Sequence, residues 1–439
     1  MIKPEIHKKI SNKSIKIGII GLGYVGLPLA VTFARNNISI LGFDKNLEKV
    51  DLINRSQNYI NDILDEDLSY VVSNTKKLIA TSDFSRIKEC EALIICVPTP
   101  LDKYKKPDMS YIESACIEIG RNMKTGSFIS LESTTYPTTT ENFIKPIIER
   151  ESGLKEGIDF WLCFSPERVD PGNVDYKTDN TPKVIGALGN VSAEIAKALY
   201  SIAIKEIHMV TSPRAAEMVK ILENTYRLVN ISLINELALL AGKMDIDIWE
   251  VIEAAKTKPY GFEAFYPGPG IGGHCIPLDP FYLEHIAKNF NFELSMIHTA
   301  GTINDMMPYR MMNKISFALN RHKKPLNGST ILFLGVTYKP DVDDARESPA
   351  LHLMELVSQK GANILYHDPF IKEITINNNK QYKSSPLDDN LINLVDCVVF
   401  TTNHSCFDVS HIVEQAKLVV DTRNAVKNVS IETDKVFKL

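Results

Sequence analysis

The chain has 439 residues, of which 44% are hydrophobic and 23% charged, and its net charge is −5. At roughly 100–200 residues per domain, this length predicts two or three domains. The negative charge argues against nucleic-acid binding, and no apolar run approaches the ~18 residues of a membrane span. The seven cysteines lack the spacing of a zinc site or a disulfide framework, so we expect a cytoplasmic protein without a metal.

The chain opens with a predicted strand, a glycine turn and a helix. Residues 15–20 are rich in β-branched side chains, and residues 21–26 have the spacing G-x-G-x-x-G. A second strand, 38–43, ends in Asp44, about twenty residues past the glycines, where a carboxylate can accept both ribose hydroxyls of NAD. A carboxylate there would repel the phosphate of NADP. The residues predicted to bind NAD here are Gly21, Gly23, Tyr24, Val25, Gly26 and Asp44.

Further predicted strands end in polar loops. Residues 92–97 lead to Thr99, and residues 128–131 lead to Thr134. Ligands of doubly wound sheets bind at the carboxyl ends of strands, so both threonines are candidates to face the nicotinamide, or they simply cap their loops. A later strand leads to Glu167, which is either a base or a solvated surface acid.

A long helix is predicted over residues 215–243. Its apolar positions cover more than one face, as expected of a helix buried between domains or subunits, and we therefore expect a homodimer or higher homo-oligomer. Lys220 and Asn224 are four residues apart and share one face of this helix. The lysine either extends to solvent or is held for a task.

A glycine-rich loop, residues 268–273, precedes Cys275 and Asp279. Glycines are tolerated at this density where the backbone turns sharply or approaches a ligand. A thiolate at Cys275 could attack a carbonyl, and Asp279 could act as an acid or base. The alternative is a tight turn with a small buried thiol. The neighbouring His274 has no partners at metal-ligand spacing.

The last third of the chain repeats the strand–helix alternation after a linker at residues 323–328, without a second G-x-G-x-x-G. Its first turn, residues 338–349, is crowded with charge and either grips phosphates or is solvated. We predict an α/β fold: two Rossmann-like doubly wound domains joined by a central all-helical domain with a long helix. The predicted boundaries are 1–208 for the NAD-binding domain, 209–322 for the central dimerisation and active-site domain, and 323–439 for the third domain.

Seven motifs, in order, resemble the UDP-glucose/GDP-mannose dehydrogenase family over essentially the whole chain. They are GLGYVGLP, VPTP, EST, SPERVDPG, the Lys220/Asn224 helix, GGHCIPLDP and YKPDVDDARES. The sequences SPERVDPG and PGPGIGGHCIPLDP are most similar to those of the branch of the family that oxidises UDP-N-acetylglucosamine.

The resemblance implies a double oxidation of the sugar C6, from alcohol through aldehyde to acid, with two NAD reduced and a thioester on Cys275 between them. The product would be a precursor of surface polysaccharide. By the same resemblance, Tyr338 would stack on uracil and Arg346 would reach the NAD phosphates. The catalytic residues implied are Cys275, Lys220, Asn224, Asp279, Glu167 and Thr134; those for the UDP-sugar are Glu167, Arg168, Lys220, Asn224, Phe265, Tyr266, Gly272, Gly273, Tyr338 and Lys339.

Several alternatives remain open at this level. The alternative substrates to UDP-N-acetylglucosamine are UDP-glucose and UDP-N-acetylmannosamine, and the assignment of protons among the carboxylates is undecided. A two-electron hydroxyacid-type dehydrogenase needs no cysteine and leaves the third domain without a role. A sugar-nucleotide epimerase would be expected to carry Tyr-x-x-x-Lys in the first domain, where the sequence has none. A catalytically inactive nucleotide-binding module would not need the set of Cys275, Asp279, Lys220 and Glu167.

Overall fold

The computed structural model describes residues 3–60, 62–101, 106–170, 172–173, 175–273, 276–376, 380–429 and 434–439. Across these residues, none of the helices combines the length and the apolar character that crossing a bilayer requires. The chain divides into two compact units. The first comprises residues 1–223 and 281–291, and the second comprises 224–280 and 292–439.

The strands of the first unit are β1 (Lys16–Ile20), β2 (Ser39–Phe43), β3 (Leu78–Thr81), β4 (Ala92–Ile95), β5 (Phe128–Leu131), β6 (Trp161–Phe164), β7 (Lys183–Ala187) and β8 (Ile207–Val210). Those of the second are β9 (Thr330–Leu334), β10 (Asn363–His367), β11 (Glu373–Ile376), β12 (Lys380–Lys383), β13 (Cys397–Phe400), β14 (Val419–Asp421) and β15 (Val436–Lys438).

The α-helices are α1 (Lys3–Ser11), α2 (Gly26–Arg35), α3 (Leu47–Asn54), α4 (Asp65–Ser69), α5 (Ser110–Asn122), α6 (Lys145–Ser152), α7 (Gly189–Tyr200), α8 (Pro213–Lys243), α9 (Ile248–Lys256), α10 (Asp279–Ala287), α11 (Ser295–Arg321), α12 (Pro349–Gln359), α13 (Asp389–Leu394) and α14 (Val409–Gln415). Short 3₁₀ turns cover Phe84–Glu89, Lys288–Phe290 and Ala425–Asn428, and π-helical turns cover Tyr70–Asn74 and Thr140–Ile144.

The first unit is built on one sheet, whose described strands have the order β3-β2-β1-β4-β5-β6-β7-β8. Strands β1, β4, β5 and β6 are buried almost throughout, because helices cover both faces of a parallel sheet and apolar β-branched residues fill both. The first six strands have the classic order of a dinucleotide-binding domain, which confirms the predicted α/β class.

Strand β7 reverses the direction of the sheet. It pairs antiparallel with β6, with Cys163 opposite Ala187, whereas the neighbouring pairs β5/β6 and β7/β8 are parallel. The first residue of β7, Lys183, therefore lies at the edge where β5 and β6 end. The sequence analysis identified neither this strand nor its direction.

The second unit contains a parallel sheet of order β10-β9-β13-β14-β15 in its described residues, beside the antiparallel hairpin β11–β12. One face of this sheet shares a core with α11 and α12, to which Met307, Met311, Leu353 and Phe333 belong. Strands β9, β10, β13 and β14 occur where the sequence predicted them. The predicted second Rossmann-like domain is thus present, joined to the helices α9 and α11.

Helix α8 begins at Pro213, two residues before the predicted start, and proline is favoured in the first turn because its missing N–H has no partner there. One stripe of the helix is apolar and exposed. Its members recur at spacings of three, four and seven residues and so share one face: Met218, Leu222, Tyr226, Leu233, Leu237 and Leu240.

The six cysteines in the described part of the chain are all unpaired, and five of them are buried. Burial raises the pKa of the thiols of Cys90 and Cys163 to about 12. Cys406 is exposed. Cys275 and His274 lie outside the described residues.

Candidate active site

The turn between β1 and α2 has the form of a phosphate-binding loop. Gly21 has φ +93°, and a Cβ there would lie 2.5 Å from the carbonyl oxygen of Cys96. A Cβ on Gly26 would overlap the carbonyl oxygen of Gly21, whereas one on Gly23 would meet nothing within 4 Å. The outer glycines are required by the chain itself, and the middle one leaves the backbone open to a ligand.

The start of α2 is available to an anion. Its cap residue, Val25, supplies no side-chain hydrogen bond to the first turn, and neighbouring Tyr24 is 43% exposed. The first N–H groups of a helix have no partners within it and carry partial positive charge. A pyrophosphate is the ligand that such a helix start binds in dinucleotide-binding domains.

Asp44 lies at the end of β2 beside this turn. One carboxylate oxygen accepts the N–H of Leu22 at 3.0 Å, and the other accepts the N–H of Asn46 at 2.9 Å. The hydroxyl of Tyr59 donates to the carbonyl of Leu22 at 2.5 Å, so the glycine turn is held from both sides. Burial, and then the charge of Asp44, raise the pKa of Tyr59. The residues present therefore fit NAD, and Tyr59 is a contributor that the sequence analysis missed.

Thr99 and Thr134 follow neighbouring parallel strands, as predicted. Thr99 is buried, and its carbonyl oxygen accepts a hydrogen bond from the hydroxyl of Tyr282. Thr134 is half-buried, next to Ser133, whose hydroxyl donates to the carbonyl of Val97 at 2.8 Å. This bond ties the ends of β4 and β5 together at the carboxyl edge of the sheet.

A buried group of charges lies at the same edge. The ammonium of Lys183 is 2.8 Å from a carboxylate oxygen of Glu132 and 3.7 Å from one of Glu167. The other oxygen of Glu132 accepts the hydroxyl of Tyr200 at 2.5 Å. The sequence analysis named Glu167 but gave no role to Glu132 or Lys183.

Glu167 and Lys220 are joined through the main chain. The ammonium of Lys220 donates to the carbonyl oxygen of Glu167 at 2.6 Å. The Glu167 carboxylate accepts the N–H groups of Arg168 and Val169, both at 2.8 Å, which fixes the turn after β6. Arg168 in turn pairs with Glu223 at 2.7 Å. The structure thus brings three predicted site residues together.

Glu217 anchors α8 to the loop that follows Thr134. Its carboxylate accepts the N–H groups of Thr138 at 2.6 Å and Thr140 at 2.9 Å, and the hydroxyl of Thr140 at 2.7 Å. Thr138 has φ +82°, a backbone conformation that residues other than glycine rarely adopt. Burial raises the pKa of Glu217 to about 7, against the lowering effect of these hydrogen bonds.

In the second unit, Asn224 donates from its amide nitrogen to a carboxylate oxygen of Asp279 at 2.6 Å. Both side chains are buried, at 6% and 3% exposure. Asp279 is the first residue of α10, where the helix dipole favours a negative charge. Two predicted catalytic residues therefore contact each other.

The glycine-rich loop packs on the charged turn of the third predicted domain. A Cβ on Gly272 would lie 2.8 Å from both the carbonyl oxygen of Glu347 and the Cβ of Tyr338. Gly273 has φ +87°, and its N–H donates to the carbonyl of Arg346 at 3.2 Å. The loop needs glycines because a side chain would separate it from this turn.

The charged turn is itself braced by His404. Its Nδ1 accepts the N–H of Asp341 at 3.0 Å, so Nε2 carries the proton and donates to Asp368 at 3.1 Å. Thr337 donates to the carbonyl of Lys339 at 2.9 Å. These contacts fix the backbone that carries Tyr338, Lys339 and Arg346.

The predicted ligand-binding side chains of this unit have local partners. The ammonium of Lys339 lies 5.8 Å from the centre of the Tyr338 ring, and Arg346 forms a forked pair with Asp344. Phe265 is half-buried and meets the Tyr226 ring edge-on. The Tyr266 ring stacks on Trp249 and its hydroxyl donates to Glu253 at 2.8 Å.

Arg423 is a cation at this site that the sequence analysis did not select. It follows β14, donates to the carbonyl of Thr401 at 3.1 Å, and lies so close to Gly268 that a Cβ there would overlap its guanidinium. Burial lowers its pKa to about 10. Arg423 lies far from the glycine loop in sequence, so no local sequence pattern indicated that the two are in contact.

The first sheet and its glycine turn define a dinucleotide-binding protein. Comparison with known families is more specific: the NAD binding domain of the UDP-glucose/GDP-mannose dehydrogenase family matches residues 15–204, the central domain 214–306, and the UDP binding domain 332–428. The chain belongs to this family of NAD-dependent UDP-sugar dehydrogenases. The predicted family and cofactor are thereby confirmed.

Individual relatives differ in the sugar that they are named for. UDP-N-acetyl-D-mannosamine dehydrogenase of Campylobacter jejuni is 37% identical over 83% of this chain and 89% of its own. UDP-N-acetyl-D-glucosamine 6-dehydrogenase of Pseudomonas aeruginosa is 33% identical over 82% of this chain and 84% of its own. The structure of UDP-D-ManNAc dehydrogenase from Pyrococcus horikoshii is 32% identical, covers 97% of this chain and 99% of its own, and superposes with a TM-score of 0.88.

Asp44→Ala should weaken NAD binding roughly tenfold or more, because hydrogen bonds to a charged group contribute about 1.5–3 kcal/mol. Calorimetric titration with NAD measures this, and titration with UDP, which we expect to be unchanged, is the control. NADP should react far more slowly than NAD with the unsubstituted chain. Comparable kcat/KM values for the two cofactors would contradict the assignment of Asp44.

Glu217→Gln should flatten part of the pH dependence of stability. With a folded pKa of about 7, against 4.5 in the unfolded chain, the folded state keeps a proton that the unfolded state loses between these values. The free energy of unfolding therefore falls as pH rises from about 4.5 to 7, by at most roughly 3 kcal/mol. Urea-unfolding midpoints at pH 5.5 and 8 should differ less in the variant. Equal differences between the two midpoints in variant and wild type would refute this prediction. Glu66→Gln, at an exposed helix position, is the control.

Proposed function

We propose that the chain oxidises C6 of UDP-N-acetylglucosamine to the carboxylate, giving UDP-N-acetylglucosaminuronate for surface polysaccharide synthesis in the cytoplasm. The observation that carries this proposal is the packing of Gly272 and Gly273 on Tyr338 and Arg346. The loop that leads to Cys275 is thereby built onto the turn predicted to bind the nucleotide.

The choice of sugar rests on the sequence of the glycine-rich loop and on the sugars for which similar proteins are named. UDP-N-acetylmannosamine is the second candidate, favoured by the 37% identity of the Campylobacter jejuni relative, and UDP-glucose is the third. These sugars differ in the C2 substituent or its configuration. A pocket that accommodates the C2 acetamido group discriminates by shape.

In the first oxidation, Lys220 and Asn224 act on the C6 oxygen. They are one turn apart on the unbroken helix α8, so their side chains project from the same face. When bound, NAD accepts a hydride from C6 in each oxidation. The Lys220 ammonium stabilises the alkoxide that forms as the hydroxyl loses its proton, and Asn224, held by Asp279, positions C6.

In the second oxidation, Cys275 adds to the aldehyde. A hydride can leave only a tetrahedral carbon that bears oxygen, and addition of the thiolate creates such a carbon as a thiohemiacetal. Loss of its hydride and its hydroxyl proton leaves a thioester on Cys275. Water then attacks the thioester carbonyl, releasing the carboxylate and the thiol.

The protons are handled by Asp279, Glu167 and a water held by Thr134. Asp279 is the carboxylate already bound to Asn224, and Glu167 is the one joined to Lys220 through its main chain. Each is therefore tied to a residue that contacts C6 in this mechanism. The carboxylate that activates the attacking water accepts the proton of that water. This determines how the proton transfers are divided between Asp279 and Glu167.

We further propose that the chain forms a homodimer through the exposed stripe of α8. The stripe extends over six turns of the helix and is apolar, whereas exposed faces of monomeric proteins rarely carry large contiguous apolar patches. A second copy presents the same stripe, so a twofold interface buries both.

The overall test is to mix the protein with UDP-N-acetylglucosamine, UDP-N-acetylmannosamine and UDP-glucose separately and count NADH formed per sugar consumed. The proposal requires two NADH per UDP-N-acetylglucosamine and the highest kcat/KM for that sugar. One NADH per sugar would identify a two-electron dehydrogenase instead.

Cys275→Ser should abolish steady-state double oxidation, because a serine hydroxyl is hardly ionised near neutral pH. UDP-sugar binding should survive. We expect at most one slow NADH per site or a trapped covalent adduct, detected by stopped-flow absorbance and intact mass. Two NADH per sugar at a near wild-type rate would establish a hydrated-aldehyde route without a nucleophile.

Lys220→Ala should slow both oxidations by roughly 10²–10³, the usual effect of losing one donor to a developing oxyanion. Rates with the UDP-sugar and with the corresponding UDP-aldehyde separate the two steps. Lys243→Ala, at an exposed position of the same helix, is the control and should leave both rates unchanged. Loss of only one of the two rates would be inconsistent with a role in both.

Leu222→Glu together with Leu237→Glu should shift the assembly towards the monomer, because both leucines lie on the exposed stripe. Neither side chain is in the core, so the fold should tolerate the charges. Sedimentation at micromolar concentrations measures the mass, with Leu394→Glu, at an exposed leucine of α13, as the control. A monomeric wild type across this range would rule out the dimer.

A further inference from the structure

Lys183 reaches the carboxyl edge of the first sheet only because β7 runs against its neighbours. In the register of β6 and β7, Cys163 is opposite Ala187 and Phe164 is opposite Gly186. The hydroxyl of Ser165 donates to the carbonyl of Val184 at 2.9 Å. The first residue of β7 is therefore brought beside the Glu167 loop, where a parallel strand would have placed its last residue.

The Lys183 ammonium is enclosed there. The side chains of Lys183 and Glu132 are 6% and 0% exposed, and 2.8 Å separates their charged atoms. An unpaired charge in such a place is costly, so the lysine must have anionic partners. Although burial alone would lower it, Glu132 and Glu167 hold the pKa of Lys183 above its usual value.

The second partner, Glu167, connects this cation to the proposed catalytic lysine. One carboxylate oxygen of Glu167 faces Lys183 at 3.7 Å, and the other accepts two main-chain N–H groups of its own turn. The carbonyl of Glu167 accepts the Lys220 ammonium at 2.6 Å. Displacing the carboxylate would therefore move the turn and the acceptor that holds Lys220.

We propose that Lys183 is a positioning residue of the dehydrogenase: it holds the Glu167 carboxylate in place, and through the Glu167 main chain it places Lys220. The inference rests on the proposed function for its consequence in catalysis. It gives Lys183 a role that the motifs did not assign, since Lys183 contacts Glu167 rather than the reacting atoms.

The test uses the paired variant Lys183→Met/Glu132→Gln. Lys183→Met alone would leave the Glu132 charge buried without a cation, whereas the pair removes both charges and keeps an oxygen for the Tyr200 hydroxyl. Thermal unfolding checks the fold. Should this pair not fold, Lys183→Gln/Glu132→Gln, which retains polar groups at both positions, takes its place.

The expected result is a lower kcat/KM for the UDP-sugar in the paired variant. Without its nearest cation, the Glu167 carboxylate no longer fixes the turn whose carbonyl holds Lys220. kcat/KM for the sugar should fall roughly tenfold at pH 7, while NAD binding stays the same.

Two further variants separate positioning from general damage. Lys183→Arg keeps the cation and should restore the wild-type kcat/KM. Lys205→Met/Asp179→Asn removes an exposed ion pair of the same unit, separated by 3.0 Å, and should leave kcat/KM unchanged.

A second readout does not require turnover. Trace acetylation with acetic anhydride, followed by mass spectrometry, measures how fast each lysine reacts, with exposed Lys205 as the internal reference. Lys220, 8% exposed and bonded to the Glu167 carbonyl, should react faster in the paired variant. If the wild type oxidised no UDP-sugar, the proposed function would be wrong while this readout still decided on Lys183. Unchanged Lys220 acetylation, or an unchanged kcat/KM in the folded paired variant, overturns the proposal.

Discussion

A charge inside a folded protein must be paired where it lies, and the carboxyl edge of the first sheet is organised by that requirement. Glu132 and Glu167 arrive there because β5 and β6 end there, and Lys183 arrives because β7 is reversed. Helix α8 is then fixed to the same edge at two points, through Glu217 and Lys220. In our proposal, the position of Lys220 thus depends on an ion pair that the substrate need never touch.

An aspartate follows the second strand of each sheet, but the two aspartates differ in their contacts and in their exposure. In the first, Asp44 follows the second strand, accepts two main-chain N–H groups and stays half-buried beside an open glycine turn. In the second, Asp368 occupies the corresponding place after β10 but is fully covered and bonded to His404. A ribose cannot reach a carboxylate that is already enclosed, which explains why the second Rossmann-like fold does not duplicate the first site.

Much of this arrangement was accessible from the sequence where the signal is local. The glycine spacing, Asp44 and the 31-residue helix α8 follow from spacing and periodicity within one stretch of chain. The direction of β7 does not, because it is set by pairing with β6 across an irregular loop. Glu217, Tyr59 and Arg423 were missed for a related reason: each contacts a segment far away in sequence, and no short motif records such a contact.

The Asn224–Asp279 contact was predictable from the sequence only in part. The sequence selected both residues by resemblance, and the structure joins them through a hydrogen bond of 2.6 Å. Their separation of 55 residues meant that spacing alone could not pair them. Motifs therefore identified the chemical groups, and the fold determined which groups act on one another.

The burial of the cysteines has a consequence for how the chain meets oxidants and electrophiles. Thiolates react and thiols hardly do, so the covered side chains at 90, 96, 116, 163 and 397, whose pKa values burial raises, are chemically silent at neutral pH. Cys406 is the exposed thiol of the described residues. Once it is replaced by serine, the described residues hold no exposed thiol, so mass added to the intact chain by a thiol-selective alkylating reagent is attributable to Cys275.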